Sequence, residues 1–309
     1  MNNVYIHSKN SIKRIVIIYI ISLIPIMLYG IYKNGLLIYQ KDIINILSIF
    51  KLIYLMILSL IIYYIIHVIW KKKPFWSIDI LTPIIIPMFM PPSVNIFIYL
   101  ISFLAGFIII NILPNKLKYN KLAFIYILIM IILLLFRNAS YLNLLEKNEI
   151  YSFNTWDLLW GRNIGGLATT NIILSLLIIV INSVFSSYKK SVAFSAIISF
   201  CLISLFLNSF DLLDIINGNT IISFILIATD LPSSPVTKNG MILYGIALGI
   251  LSSILCKFVA FYEGAILSIF LISILYPLLS KSLKNDKIMS ILKKWTNYKK
   301  EITYKDEII

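Results

Sequence analysis

Charge is scarce in this chain. Only 13% of its 309 residues are Asp, Glu, Lys or Arg, too few to wet the surface of a soluble domain of this size. Cysteine and histidine are scarcer still, with two of each. Cys201 and Cys256 stand inside apolar runs with no second ligand at a metal-binding spacing, which excludes a disulfide framework, a zinc site and an iron–sulfur cluster. Both read as residues packed against lipid or a neighbouring helix. His7 lies in the polar start and His67 beside Trp70 and Lys71 at a helix end, so both read as interfacial anchors rather than ligands or catalysts. No nucleotide-binding motif occurs. The amino-terminal region has no small-residue cleavage site, so the first apolar run is read as a retained helix.

What the chain has instead is apolar length. Hydrophobic residues make up 60% of it, and the mean hydropathy is +0.93. The formal net charge of +14 invites a nucleic-acid reading, but the lysines and arginines punctuate apolar runs rather than gathering on one wetted face. Nucleic acid is excluded as a partner, and membrane lipid is the expected surroundings.

Backbone groups in lipid must be satisfied internally, so each long apolar run is predicted to be a helix. The full-length runs are 15–32, 46–70, 94–113, 122–136, 167–186, 191–210, 239–260 and 264–280. Two more are short: Ile78 to Met90, stopped by Pro91-Pro92-Ser93, and Asn219 to Asp230, stopped by Pro232-Ser233-Ser234-Pro235. Each reaches about 20 Å, against a hydrocarbon core of about 30 Å. They read as half-helices, third and eighth in a count of ten. The expected fold is therefore an all-α polytopic membrane protein of about ten transmembrane helices. Its two inverted five-helix repeats each carry a short broken helix, and such matched breaks point to a site near the midplane. The boundaries follow: a first repeat at 1–136, an external loop at 137–166, a second repeat at 167–280 and a basic cytoplasmic tail at 281–309.

Positive charge in short loops stays cytoplasmic. With the amino terminus inside, twenty of the 27 basic residues fall inside and five outside: Lys33, Lys41, Arg137, Lys147 and Arg162. Lys51 and Lys257 lie near outer helix ends and read as side chains snorkelling to the headgroups. Both termini are thus expected in the cytoplasm. The tail mixes Lys284, Lys287, Lys293 and Lys294 with Ile288, Ile291, Leu292 and Trp295, a pattern suited to an amphipathic helix on an anionic leaflet.

Two polar clusters offer chemistry. In the outer loop, Gly161, Gly165 and Gly166 permit tight turns, and Thr169, Thr170 and Asn171 then open a helix. Its free N–H groups suit an anion, or a threonine there is simply an N-cap. On the inner side, ATDLPSSPVTKNG (Ala228 to Gly240) crowds Thr229, Asp230, Ser233, Ser234 and Thr237 around a turn shaped by two prolines.

That inner run resembles the ATDP-x-x-SP-x-T-x-x-G signature of a known family. The family comprises the D subunit of the Rnf ion-translocating ferredoxin:NAD oxidoreductase and the B subunit of the sodium-pumping NADH:quinone oxidoreductase. Tyr262-Glu263-Gly264 matches the family's YPEG, Pro277 its LTPL, Leu23-Ile24-Pro25 with Gly30-Ile31-Tyr32 its first helix, and Met90-Pro91-Pro92 its LPP turn. Asp157 to Ile173, DLLWGRNIGGLATTNII, is similar to D-L-x-x-G-x-x-x-G-S-I-G-E-T-S-A-L, with Thr170 on the family threonine, Thr169 in place of the glutamate and Ala168 in place of the last glycine. The Gly-rich F-G-G-x-G-x-N-x-F stretch has no counterpart in FIIINILPNK, Phe107 to Lys116.

The resemblance implies an electron-carrying membrane subunit of an Rnf-like complex in a bacterial plasma membrane, coupled to Na⁺ or H⁺ movement and working with other complex subunits. It implies FMN bonded through its phosphate to a hydroxyl on the outer face, and a noncovalent riboflavin. The family's acceptor is the threonine of an S-x-A-T motif. Here the place reads Asn138-Ala139-Ser140-Tyr141-Leu142, so Ser140 takes it, with Thr169 as the alternative acceptor. Thr170, Gly161 and Gly165 then frame the outer site, and Thr229, Asp230 and Thr237 line an inner one. Paired half-helices also suit a transporter or channel for a small polar solute, and a scaffold without flavin stays open as well.

Overall fold

A computed structural model of the chain describes residues 11–42, 44–72, 74–113, 119–137, 140–141, 155–185, 188–207, 217–258 and 263–283. The chain beyond Leu283, Tyr262 and most of the 137–166 loop lie outside the described residues. Those described form helices and turns and no strand.

All ten apolar runs are helical. The first five are α1 (Ile12–Tyr39), α2 (Ile46–Trp70), α3 (Ile78–Phe89), α4 (Ile96–Ile112) and α5 (Lys121–Leu135). A short helix, α6 (Thr155–Trp160), precedes the second set. That set comprises α7 (Ile172–Phe185), α8 (Lys190–Leu207), α9 (Gly218–Leu226), α10 (Lys238–Phe258) and α11 (Gly264–Leu283). Four of them, α1, α2, α8 and α10, are long and apolar enough to cross a membrane by length and composition alone. The protein is a multi-pass membrane protein. Its lipid-facing girdle is built of exposed side chains such as Leu28, Ile57, Ile101, Phe194 and Leu243, which water would not tolerate as a continuous surface.

The half-helices stop where the sequence withholds backbone donors. In α3 a 3₁₀ turn leads into eight α-helical residues, and Met90 then turns extended ahead of Pro91 and Pro92, which have no N–H to continue the ladder. Helix α9 has nine residues, about 14 Å, and ends ahead of Pro232 and Pro235. Helix starts are capped repeatedly by asparagine. Asn95, Asn120, Asn171 and Asn217 each accept an N–H of the first turn, from Phe97, Ala123, Leu174 and Asn219 at 2.8–3.0 Å. Each cap satisfies a donor that lipid could not. For α7 the cap is Asn171, so the expected threonine cap is corrected: Thr169 and Thr170 precede the helix.

Lipid supplies no hydrophobic drive between helices, so close packing and interhelical hydrogen bonds hold them. The tightest pair is α8 with α10, where a Cβ on Gly249 would collide with Ser199 Oγ and lie 2.6 Å from the Phe200 amide nitrogen. Ser253 Oγ donates across the same pair to the Phe200 carbonyl at 3.2 Å. Ser252 and Ser268 link α10 to α11 at 2.5 Å, Ser59 and Tyr99 link α2 to α4 at 2.7 Å, and Asn182 donates to Ser22 Oγ between α7 and α1 at 2.9 Å. The neighbours recur in the two halves. Helix α2 packs on α3 and α4 as α8 packs on α9 and α10, α4 on α5 as α10 on α11, and α1–α7 and α5–α11 join the halves.

Two side chains, His67 and Lys51, differ from expectation. His67 is 1% exposed; its ring stacks on Tyr63 and its Nε2 meets Ser77 Oγ at 3.2 Å, because the segment after α2 folds back over it. Lys51 does not run freely to the headgroups; it turns inward and donates to the Pro92 carbonyl at 2.7 Å. Lys257 donates to the Leu207 carbonyl at 3.1 Å.

The packing predicts that Gly249→Leu costs about 1–3 kcal/mol by overpacking the α8–α10 contact, whereas Ile250→Leu, on the exposed face, costs little. Melting of the detergent-solubilised protein, followed by size-exclusion chromatography, checks this. Equal melting temperatures for the two variants contradict the packing described.

Candidate functional site

Alternation of helix direction sorts the polar residues into two clusters. One lies at the lysine-rich end, where α3 begins and α9 ends, and the other at the opposite end, where α3 ends and α9 begins.

At the opposite end the broken backbone of α3 is met by the segment after α6. Ala168 N–H donates to the Met88 carbonyl and Leu167 N–H to the Met90 carbonyl, each at 2.9 Å. The carbonyls left open by the helix break are thereby satisfied. A π-helical turn in α1, Tyr32–Leu36, widens the helix and aims two consecutive side chains at the same segment: Asn34 Nδ2 donates to the Leu167 carbonyl at 2.8 Å, and the buried Lys33 ammonium to the Asn163 carbonyl. Helix α9 begins against it too, since a Cβ on Gly218 would strike the Thr170 carbonyl oxygen and lie 2.6 Å from that of Thr169. The segment 161–171 is thus a wedge held by α1, α3 and α9.

Gly161 sits in that wedge at φ +77°, and a Cβ there would lie 2.6 Å from the Asn171 amide nitrogen, so a glycine is required on both counts. Gly165 faces the Thr170 methyl, 2.5 Å from where its Cβ would be. Thr169 and Thr170 are fully enclosed, and Thr169 Oγ1 has no hydrogen-bond partner among the described residues. Ser140 is elsewhere on the same end. Its N–H donates to Ser93 Oγ at 3.1 Å, and Ser93 Oγ donates back to its carbonyl at 2.7 Å. Ser93 follows the α3 break directly, so Ser140 is fastened to that break through its backbone. The residue is half-buried, and its hydroxyl makes no hydrogen bond among the described residues. Sequence reasoning placed Ser140 and the wedge at one end but missed Ser93 and Asn34, which make the fastening; Ser93 in the Pro-Pro-Ser stop was the available signal.

At the lysine-rich end, Asp230 caps the break after α9. Its Oδ2 accepts from Ser233 Oγ at 2.9 Å, and its carbonyl accepts from Ser234 N–H and Oγ. Lys189, in the loop before α8, donates to the Leu231 and Ser234 carbonyls and to Ser234 Oγ at 2.7–2.8 Å. Burial pulls its ammonium down to about 8, and the Asp230 carboxylate opposes that pull. Asn120 completes the turn: Nδ2 donates to the Ile227 carbonyl at 2.7 Å and to Ser233 Oγ at 3.1 Å, and its N–H donates to Ser273 Oγ. Asn120 and Lys189 were not singled out from the sequence, because they lie about 110 and 40 residues away from the turn they serve.

Asp230 lines a narrow apolar crevice between α1, α3, α5 and α9 whose walls include Tyr19, Ile78, Ile85, Leu122 and Leu226. It holds at most about one water molecule, and riboflavin does not fit it. Thr229 turns its hydroxyl to the Ile225 carbonyl at 2.6 Å. Thr237 is exposed and caps α10, its Oγ1 accepting from Gly240 N–H at 3.2 Å. The expected inner trio is therefore not brought together on one face.

The half-helix pair, its two fastened breaks and the apolar girdle define a multi-pass membrane protein. The chain belongs to the NQR2, RnfD, RnfE family, whose model matches residues 1–289. It is similar to the D subunit of the Na(+)-translocating ferredoxin:NAD(+) oxidoreductase complex of Acetobacterium woodii, with 27% identity over 160 residues. That match covers 50% of this chain and 49% of the relative.

Asn120→Ala is predicted to cost about 1–3 kcal/mol by leaving the Ser233 and Ile227 acceptors and the Ala123 donor without their partner. Asn111→Ala, which removes only a bond to its own helix at Phe107, serves as the control. Thermal inactivation in detergent should separate the two; a control as damaging as Asn120→Ala contradicts the assignment.

Proposed function

We propose that this chain is the flavin-bearing membrane subunit of an Rnf-like complex in a bacterial plasma membrane, relaying electrons in steps coupled to Na⁺ or H⁺ movement. Its lysine-rich end faces the cytoplasm with both termini, and its two halves are inverted repeats. Family membership supports the complex, and the chain's lack of nucleotide motifs leaves ferredoxin and NAD to partner subunits.

The observation that carries the flavin reading is Ser140. It stands at the family's acceptor position, its backbone is clasped by Ser93, the residue is half-buried, and among the described residues its hydroxyl makes no hydrogen bond. Serine offers the same nucleophilic hydroxyl as threonine, so the residue present fits a phosphoester to FMN. When bound, FMN supplies one- and two-electron chemistry that no side chain here provides. Ser140 tethers, Ser93 positions, and the wedge with Gly161, Gly165 and Thr170 keeps the α3 break rigid beside it. Thr169, the alternative acceptor, is fully buried between Gly166 and Gly218, where a transferase has no approach.

The chain co-produced with a flavin transferase is expected to give a fluorescent band on denaturing electrophoresis under ultraviolet light, lost in Ser140→Ala and kept in Thr169→Ala. A band that survives Ser140→Ala moves the acceptor elsewhere. A chain that stays dark favours the transporter reading, for which the half-helices and the Asp230 crevice are the supporting feature. Topology has its own check: cysteines placed at Asn148 and Asn285 should label from outside intact cells at 148 only. Labelling at 285 alone reverses the orientation.

A further inference from the structure

We propose that Lys51 holds the phosphate of the group at Ser140, so that this end of the molecule carries a built phosphate site. The inference rests on the flavin reading above and names the residue that accepts the flavin's charge.

Basic residues are few at this end, yet two are folded inward around the α3 break. Lys33 is 6% exposed and engaged with the wedge at Asn163. Lys51 reaches from the start of α2 to the Pro92 carbonyl. Pro92 is joined to Ser93, the residue that grips both backbone groups of Ser140. The ammonium is therefore anchored one peptide bond from the clasp that holds the acceptor hydroxyl.

A latch on one carbonyl does not need a charge. An ammonium has three donors, and the Pro92 carbonyl uses one. Among the described residues no carboxylate pairs with Lys51. Drawing a cation inward beside a carbonyl costs free energy, and an anion beside it offsets that cost. A phosphoester on Ser140 Oγ is such an anion. It also explains why the chain keeps a lysine inward at the end where positive charge is otherwise sparse.

The test uses the purified full chain without covalent flavin and titrates it with FMN or riboflavin, which differ by the phosphate, reading quenching of flavin fluorescence. The parent should bind FMN about tenfold tighter, the equivalent of one charge-assisted contact. Lys51→Arg should keep that preference. Lys51→Gln retains a donor for the Pro92 carbonyl but no charge, and Lys51→Met retains only the stem; both should lose the preference while riboflavin binding stays unchanged. A parent that binds the two flavins equally, or binds neither, overturns the proposal, and so does a Gln variant that still prefers FMN. A phospholipid headgroup offers the same chemistry, so displacement of FMN by added phosphatidylglycerol gives the site to lipid and overturns the flavin assignment. The two readings fail separately. FMN preference without a fluorescent band sinks only the covalent tether, and a band without phosphate preference sinks only Lys51.

Discussion

Everything in this structure answers to one constraint: a backbone carbonyl or amide left open inside a membrane finds no water. Two helices break within the apolar layer, and each break must be satisfied from within the protein. At α3 the Met88 and Met90 carbonyls are met by the Ala168 and Leu167 amides. At α9 the Ile227, Leu231 and Ser234 carbonyls are met by Asn120 and Lys189. The donors come from remote parts of the chain, so each break is also a knot between segments. A chain that pins its polar backbone this way has rigid places on which to hold a group, one at each end of the bundle.

The two places are not equivalent. Around Asp230 the carbonyls of the turn are met by Asn120, Lys189 and Ser234, and the narrow crevice beside it leaves the turn as a structural cap with one carboxylate at its wall. Around the α3 break, by contrast, among the described residues the Ser140 hydroxyl makes no hydrogen bond and the Lys51 ammonium uses one donor, on the Pro92 carbonyl. The proposed bound group therefore sits at the second place. In flavin relays the protein contributes position, charge and exclusion of water while the cofactor contributes the redox couple, and under the proposal Ser140 and Lys51 supply the position and the charge.

Much of the fold was legible from the apolar runs. Ten runs gave ten helices because lipid leaves the backbone no alternative, and the prolines at 91, 92, 232 and 235 marked both half-helices for the same reason. The wedge was legible in part, since Gly161 needs its positive φ whatever surrounds it. What could not be read were the partners that bind across long separations. Asn120 looks like any helix cap until Ile227 and Ser233 arrive beside it. His67 looks interfacial until Phe75 to Ser77 cover it. Thr229, Asp230 and Thr237 share one motif, yet a proline-shaped turn sends one hydroxyl into its own helix and another to the surface. Spacing along a chain predicts a common face only while the helix is unbroken.

The absorption spectrum of the purified chain, produced alongside a flavin transferase, tests the central claim most directly. The account predicts a flavin band that travels with the protein and bleaches on chemical reduction. A colourless preparation that nevertheless folds, melts cooperatively and moves a small solute across liposomes would contradict it.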